Sequence, residues 1–235
     1  MILGTSHAAG TRRFAATRKD FATPLGTVAT DRAFLDRLAA QVPGDLYADE
    51  ILHRTEHAIE FQVVMLQHAL AARPFTIVPI LVTAFHDLIT RGRAPDHDPE
   101  VAAFVAALRA TLADDDAPTV VVAGVDFAHV GASSATATVS RRSCSPRPKP
   151  RIGACSHALT AADPHAFFAT LAADADRTRI CGAAPLLVFL ELMRGVPGRL
   201  LCYDRTRDGA TRSVVTYASL AFGESSPPQA PAGLR

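Results

Sequence analysis

The chain has no tryptophan, only three tyrosines among its 235 residues, and almost no net charge. A formal charge of +1 leaves no basic excess for binding nucleic acid or an anionic membrane surface. No apolar run approaches the roughly 18–20 residues of a membrane-spanning helix. The beginning, MILGTSHAAG, lacks the basic start and long apolar core of a signal peptide. We therefore expect a cytoplasmic protein whose partners are neither nucleic acids nor membranes.

The cysteines are few and show no CxxC spacing. There are four of them, Cys144, Cys155, Cys181 and Cys202. This pattern favours reduced thiols in a cytosolic chain, where a functional cysteine acts as a metal ligand or a nucleophile. Cys202 lies in the middle of a predicted strand, which favours a role in core packing. Hydrophobic residues make up 49% of the sequence and charged residues 20%, as in a globular protein.

Segments typical of strands alternate with segments typical of helices. The predicted strands are MILGTSH, FTIVPILV (75–82), residues 118–125, RLLCYD and SVVTYASLAFG. The predicted helices are TDRAFLDRLAAQVPG, TEHAIEFQVVMLQHALAARP, DPEVAAFVAALRATLADD, DPHAFFATLAAD and residues 183–194. This alternation predicts an α/β fold with a mainly parallel or mixed central sheet and helices on its faces.

Local signals predict details of these elements. Thr30 is the expected cap of the first helix, and Asp98 followed by Pro99 is expected to begin the third. Pro79 inside the second strand predicts an edge strand or a bulge. The apolar run Val120–Ala123 is typical of a strand that is buried on both faces.

We predict one domain over residues 1–222, interrupted by an irregular loop at 131–153 and followed by a disordered tail at 223–235. The loop, GASSATATVSRRSCSPRPKPRIG, has neither periodicity nor apolar content, and its Arg, Ser and Pro bias also fits a short out-of-frame translation. The tail contains the polar, Pro-rich sequence ESSPPQAPAGLR.

Five polar residues stand where α/β proteins place ligand sites, at the ends of strands or the beginnings of helices. They are His7, His57, Asp126, His129 and Cys181. Two imidazoles and one anionic ligand are the minimum for a three-coordinate metal site with an open position. A helix N-terminus favours the thiolate of Cys181. Plainer explanations exist for each residue: a surface histidine, a small buried cysteine, or an aspartate that caps a turn.

Several short segments together resemble a known family. LGTSH, TPLGTVATD, TEHAIEFQ, VDFAH and ICGAAPL occur in the order found in the Memo-like family, whose bacterial and archaeal members are called AmmeMemoRadiSam system protein B. The resemblance spans about residues 2–222 without the irregular loop. It implies a three-layer α/β/α fold similar to that of the class III extradiol ring-cleaving dioxygenases.

The resemblance also implies a site and its partners. The metal ligands would be His7, His57 and Cys181, while Asp126 and His129 would line the same pocket as candidate catalytic residues. Cys181 stands where the related dioxygenases have a carboxylate, and this softer ligand suits iron, with copper or zinc as alternatives. The implied partners are radical-SAM and AMMECR1-type proteins and an unidentified small-molecule substrate.

The chain departs from the family pattern at several points. Relatives usually begin earlier, with a further strand and a PHAGY-like segment, so we expect a late start or a missing strand here. They often carry basic residues or histidine where this chain has Ala8 and Ala184. Three hypotheses therefore stand: a metal-dependent oxidoreductase, a non-catalytic metal-binding or scaffold protein, and a truncated, non-functional remnant.

Overall fold

A computed structural model describes residues 1–71, 73–127, 129–130, 153–173, 180–208 and 213–223. Its strands are β1 (Ile2–Thr5), β2 (Phe14–Ala16), β3 (Phe21–Thr23), β4 (Gly26–Val28), β5 (Pro79–Val82), β6 (Val122–Gly124), β7 (His129–Val130), β8 (Gly198–Asp208) and β9 (Ser213–Phe222). Its α-helices are α1 (Arg32–Ala39), α2 (Ala58–Leu70), α3 (His86–Thr90), α4 (Pro99–Ala113), α5 (Gly153–Thr160), α6 (Pro164–Ala173) and α7 (Ala183–Leu192), and short 3₁₀ helices cover Glu50–Arg54 and Pro95–His97.

The central sheet is mixed, as the alternation of elements predicts. Its strand order is β2-β5-β1-β6. β1 runs parallel to both β5 and β6, whereas β2 pairs with β5 in the antiparallel direction. The carboxyl end of β1 therefore lies at the middle of the sheet, which is where an α/β fold places ligands.

Helices cover both faces of this sheet. Successive side chains of a strand point to opposite faces, and the neighbours Ile2 and Leu3 are both almost completely buried. Leu3 belongs to a large core that includes side chains of α1, α4 and α7. Ile2 belongs to a smaller core with Ile59 and Val63 of α2. The arrangement is an α/β fold with helix, sheet and helix layers, as the resemblance implies.

A second, antiparallel sheet has the order β7-β9-β8. The backbone N–H of Phe127 donates to the carbonyl oxygen of Thr216 on β9 at 3.0 Å. The segment after β6 therefore passes from the central sheet to this second sheet. Among the described residues, no helix is both long and apolar enough to cross a membrane.

Two local predictions are wrong. Asp31, not Thr30, caps α1, since its side chain accepts a hydrogen bond from the Phe34 backbone N–H, while Thr30 forms a strand bridge with Ile77. Pro79 does not mark an edge, because β5 lies between β2 and β1. Pro79 is the first residue of β5, a position where a strand tolerates the missing N–H. The predicted start of α4 at Asp98 and Pro99 is confirmed.

The predicted strand at 118–125 is shorter and less buried than expected. Only Val122–Gly124 form β6, which lies at the end of the strand order. Val120 is 73% exposed, so burial on both faces is wrong. A cavity of about 670 Å³, lined by side chains of β6, α7 and β9, lies beside this strand.

The expectation of reduced cysteines is wrong at one position. Cys202 is disulfide-bonded and half-buried on β8, whereas Cys181 carries a thiol group. A position in the middle of a strand gave no sign of this bond.

The predicted loop at 131–153, except for its last residue, and residues 224–235 of the predicted tail lie outside the described residues. The single domain over 1–222 stays a prediction.

Gly4 allows α2 to pack directly on β1, and replacing it should destabilise the fold. A Cβ atom at Gly4 would lie 2.9 Å from Ile59 Cγ1 and 3.2 Å from Ala58 Cβ. We expect Gly4→Val to lower the free energy of unfolding by about 1–3 kcal/mol, because such overpacking moves the helix. Urea denaturation measures this. Ala22→Val adds bulk at an exposed position of β3 and should change stability by less than about 0.5 kcal/mol. Equal losses in both variants would contradict the argument.

Candidate metal centre

Two of the predicted ligands, His7 and His57, lie face to face. His7 follows the end of β1, and His57 immediately precedes α2, so the packing of α2 on β1 brings them together. Their ring centroids are 5.2 Å apart and their planes differ by 9°. The side chains are 49% and 55% exposed, respectively. Each imidazole is therefore held on one side and open to solvent on the other.

The carboxylate of Glu56 contacts both imidazoles, although its side chain is only 6% exposed. His7 Nδ1 lies 3.0 Å from Oε2, and His57 Nδ1 lies 3.2 Å from Oε1. The backbone N–H of His7 donates to Oε2 at 2.8 Å. The backbone N–H groups of His57 and Ala58 donate to Oε1 at 2.8 and 3.3 Å. One buried side chain thus joins the end of β1 to the beginning of α2.

These hydrogen bonds keep Glu56 ionised in spite of its burial. Burial by itself raises the pKa of a carboxyl group, because it removes water from the charged form. The backbone N–H groups of His7 and His57, together with the His7 ring, outweigh this effect, and the pKa of Glu56 is lowered. A negative charge is therefore present beside both imidazoles at neutral pH.

Cys181 lies beside the same end of β1. Thr5 Oγ1 donates to the Cys181 carbonyl oxygen at 3.2 Å. The adjacent Gly182 packs closely on the segment after β6, since a Cβ there would lie 2.5 Å from Val125 Cβ. The Cys181 Sγ lies 3.9 Å from the carbonyl oxygen of Asp126. The sulfur is thus at the sheet edge that carries His7, turned toward the segment after β6.

The expected thiolate at Cys181 is wrong. Burial first, and the negative charge of Asp126 second, raise the pKa of the thiol to about 11. The helix N-terminus does not compensate for these two effects. Cys181 is therefore protonated at neutral pH.

The five predicted site residues are brought together only in part. Among the described side chains, one group of three could hold a metal ion with ligand atoms within 4.8 Å of one another: His7, Glu56 and His57. Cys181 is not in that group, and Asp126 is exposed and near Cys181. His129 lies in β7 opposite Val215, and its side chain is outside the described part of the chain.

Sequence reasoning missed Glu56 as a member of the site. The one available signal was an acidic residue just before a helix, where the helix dipole favours negative charge. That signal is common and does not indicate contact with His7, which lies far away in the sequence. Only the packing of α2 against β1 reveals the contact.

An open polar cleft of about 510 Å³ lies beside His7. Its lining includes Ser6, Arg12, Arg13, Thr83 and Glu100. Arg12 Nε lies 3.2 Å from a Glu100 oxygen. Arg13 binds both oxygens of Asp87 at 2.8 Å. The cations that line the cleft are thus paired with acids, and the cleft suits a small polar molecule better than a strongly anionic one.

The sequence model described as "Memo-like protein" matches residues 1–221. The chain belongs to the Memo-like family. It is 27% identical over 228 residues to a MEMO1 family protein of Aquifex aeolicus, and 26% identical over 221 residues to a MEMO1 family protein of Thermus thermophilus. These alignments cover 94% of this Memo-like chain but only 55% and 61% of the two curated relatives. The predicted family is confirmed.

The raised pKa of Cys181 predicts slow alkylation of this Memo-like chain. With a thiol pKa of about 11, only about one thiol in a thousand is ionised at pH 8, and the thiolate is the reacting form. We expect the iodoacetamide rate at Cys181, followed by mass spectrometry of its peptide in chelator-treated protein, to rise with pH to about 11. Asp126→Asn should shift the profile to lower pH, whereas Asp36→Asn, at an exposed position of α1, should not. A midpoint at or below the ordinary 9.0 would contradict this prediction.

Proposed function

We propose that this chain is a metal-binding protein whose ion is held by His7, His57 and Cys181 at the carboxyl end of β1. The observation that carries the proposal is the stacked pair of half-exposed imidazoles on one buried carboxylate. Neutral imidazole is the commonest metal ligand in proteins, and a ligating histidine usually gives its other ring N–H to a carboxylate. Glu56 stands in that relation to His7, and it lies 3.2 Å from Nδ1 of His57.

The donor types fit a transition metal. Two nitrogens and one sulfur suit iron, copper or zinc and do not suit magnesium or calcium, which prefer oxygen ligands. We propose iron first, as the family resemblance implies. Cys181 is tethered beside β1 by the hydrogen bond from Thr5, which supports it as the third ligand. Its thiol would have to lose a proton to bind a metal.

The polar cleft beside His7 is where we propose that a small substrate binds. A bound iron or copper ion would supply redox chemistry at this cleft. The paired Arg12 and Glu100 offer a donor and an acceptor to a polar substrate. Asp126, whose charge acts on the Cys181 thiol, is our candidate for accepting the thiol proton. A catalytic role for His129 and an association with radical-SAM and AMMECR1-type proteins stay predictions from the family resemblance.

A second candidate function is metal holding or transfer without turnover. The solvent exposure of both imidazoles favours it, since an open site lets an ion enter and leave. Oxygen consumption by the iron-loaded protein separates the two functions. Consumption that depends on an added small molecule supports the oxidoreductase, and tight metal binding without it supports the non-catalytic protein.

Metal content is the direct test of the proposed ligands. We expect protein purified without oxygen and supplied with ferrous iron to retain about one ion per chain after gel filtration. His57→Ala and Cys181→Ala should weaken binding by more than the roughly 10–100-fold that is typical of changes around a ligand. Inductively coupled plasma mass spectrometry measures the metal, and circular dichroism checks the fold.

His68→Ala is the matched control, because His68 is an exposed histidine on α2, the helix that begins directly after His57. It should keep the wild-type metal content. Folded wild-type protein that retains no iron, copper or zinc would overturn the ligand assignment, as would equal losses in the His57 and His68 variants.

A further inference from the structure

The two oxygens of Glu56 are already surrounded by N–H donors. Oε1 accepts from the backbone of His57 and Ala58, and Oε2 accepts from the backbone of His7. The two ring Nδ1 atoms lie at 3.0 and 3.2 Å from these oxygens. A carboxylate offers about four lone-pair sites. With five nitrogen neighbours, the carboxylate has no open lone pair to offer a cation.

This environment determines which nitrogen of each ring carries a proton. An ionised carboxylate only accepts hydrogen bonds, so a neutral His7 ring, whose Nδ1 is hydrogen-bonded to Glu56, must carry its proton there. A proton on His57 Nδ1 is favoured for a related reason, since a bare lone pair at that atom would face the same negative charge at 3.2 Å. The Nε2 atom of the same ring then has a free lone pair, which is the form that binds a metal. Three backbone N–H groups donate to the two oxygens, and this arrangement of donors favours an ionised carboxylate at this position.

We propose that Glu56 is a positioning residue and not a metal ligand: it holds His7 and His57 together as Nδ1–H tautomers and leaves their Nε2 atoms for the ion. The role toward the ion rests on the function proposed above. The tautomers do not, since they follow from contacts within the chain.

Two contacts with neighbouring rings also restrict the orientation of the His57 ring. The edge of Phe61, one turn further along α2, lies against it with ring centroids 5.5 Å apart. The His7 ring also stacks on the His57 ring, and the planes of the two rings differ by 9°. Because Glu56 also binds the backbone N–H of His7, it sets the separation of two ligands that come from different elements. Removing its charge should therefore disturb both imidazoles at once.

Histidine tautomers give the first readout, and it needs no metal. In chelator-treated, ¹⁵N-histidine-labelled protein at pH 8, we expect long-range ¹H–¹⁵N spectra to show His7 and His57 as Nδ1–H tautomers. In Glu56→Gln at least one ring should change to Nε2–H, because one carboxylate oxygen is replaced by an NH₂ group. Glu60→Gln, which removes an exposed carboxylate from the first turn of α2, should leave both tautomers unchanged. Nε2–H rings in the wild type, or no change in Glu56→Gln, would overturn the inference.

Cobalt binding gives the second readout. We expect Glu56→Gln to weaken Co²⁺ binding by about 10–100-fold, as is typical for loss of a partner behind a ligand, with unchanged d–d band positions. Unchanged affinity, or shifted bands that indicate loss of a coordinated oxygen, would overturn the positioning role. Wild-type protein that shows both Nδ1–H tautomers but binds no cobalt would support the inference and contradict the proposed function.

A second variant covers the case in which Glu56→Gln does not fold. Glu56→Asp keeps the charge but withdraws it by one methylene group, so it should release at least one Nδ1–H and weaken cobalt binding. An aspartate variant with both tautomers and full cobalt affinity would overturn the inference.

Discussion

The contact between α2 and β1 is the constraint on which the candidate site depends. At Gly4 the absence of a side chain lets Ile59 and Ala58 approach the strand closely. The helix therefore begins beside the end of β1, and His57 comes to lie against His7. Because the ligands come from two elements, any change in the separation of helix and strand changes the site directly.

Two ionisable groups near this contact, the buried Glu56 and the partly buried Cys181, differ in charge state because only one of them is compensated for the loss of water. Glu56 and Cys181 both lose water on folding, which disfavours their ionised forms. Glu56 is compensated by several N–H donors, and its pKa is lowered. Cys181 lies near the negative charge of Asp126, and its pKa is raised to about 11. The carboxylate beside the imidazoles is thus a stable anion, whereas the sulfur of Cys181 stays a neutral thiol at neutral pH unless a bound metal favours its ionised form.

The helices α1, α2, α4, α6 and α7 were predictable from apolar stripes and capping residues, whereas the short helices α3 and α5 were not predicted. The stripe that includes Ile59 and Val63 predicts α2, and the Asp98–Pro99 pair predicts the start of α4. β2, β3 and β4 were not predicted, since strands of three residues are too short to show alternation. Pro79 was misleading because a proline limits a strand only where its N–H is needed. In both cases the outcome depends on the neighbouring strands of the sheet, which the sequence alone does not reveal.

The sequence by itself determined the family, the α/β alternation and the histidines as candidates, because short motifs and periodicity are local properties. The tertiary structure decided which candidates meet. It brought Glu56 between two histidines, turned the Cys181 thiol toward Asp126, and placed β6 beside a cavity. These outcomes depend on contacts between residues that are distant in the chain, on burial and on the hydrogen bonds that compensate it. Local signals in the sequence do not specify these long-range contacts.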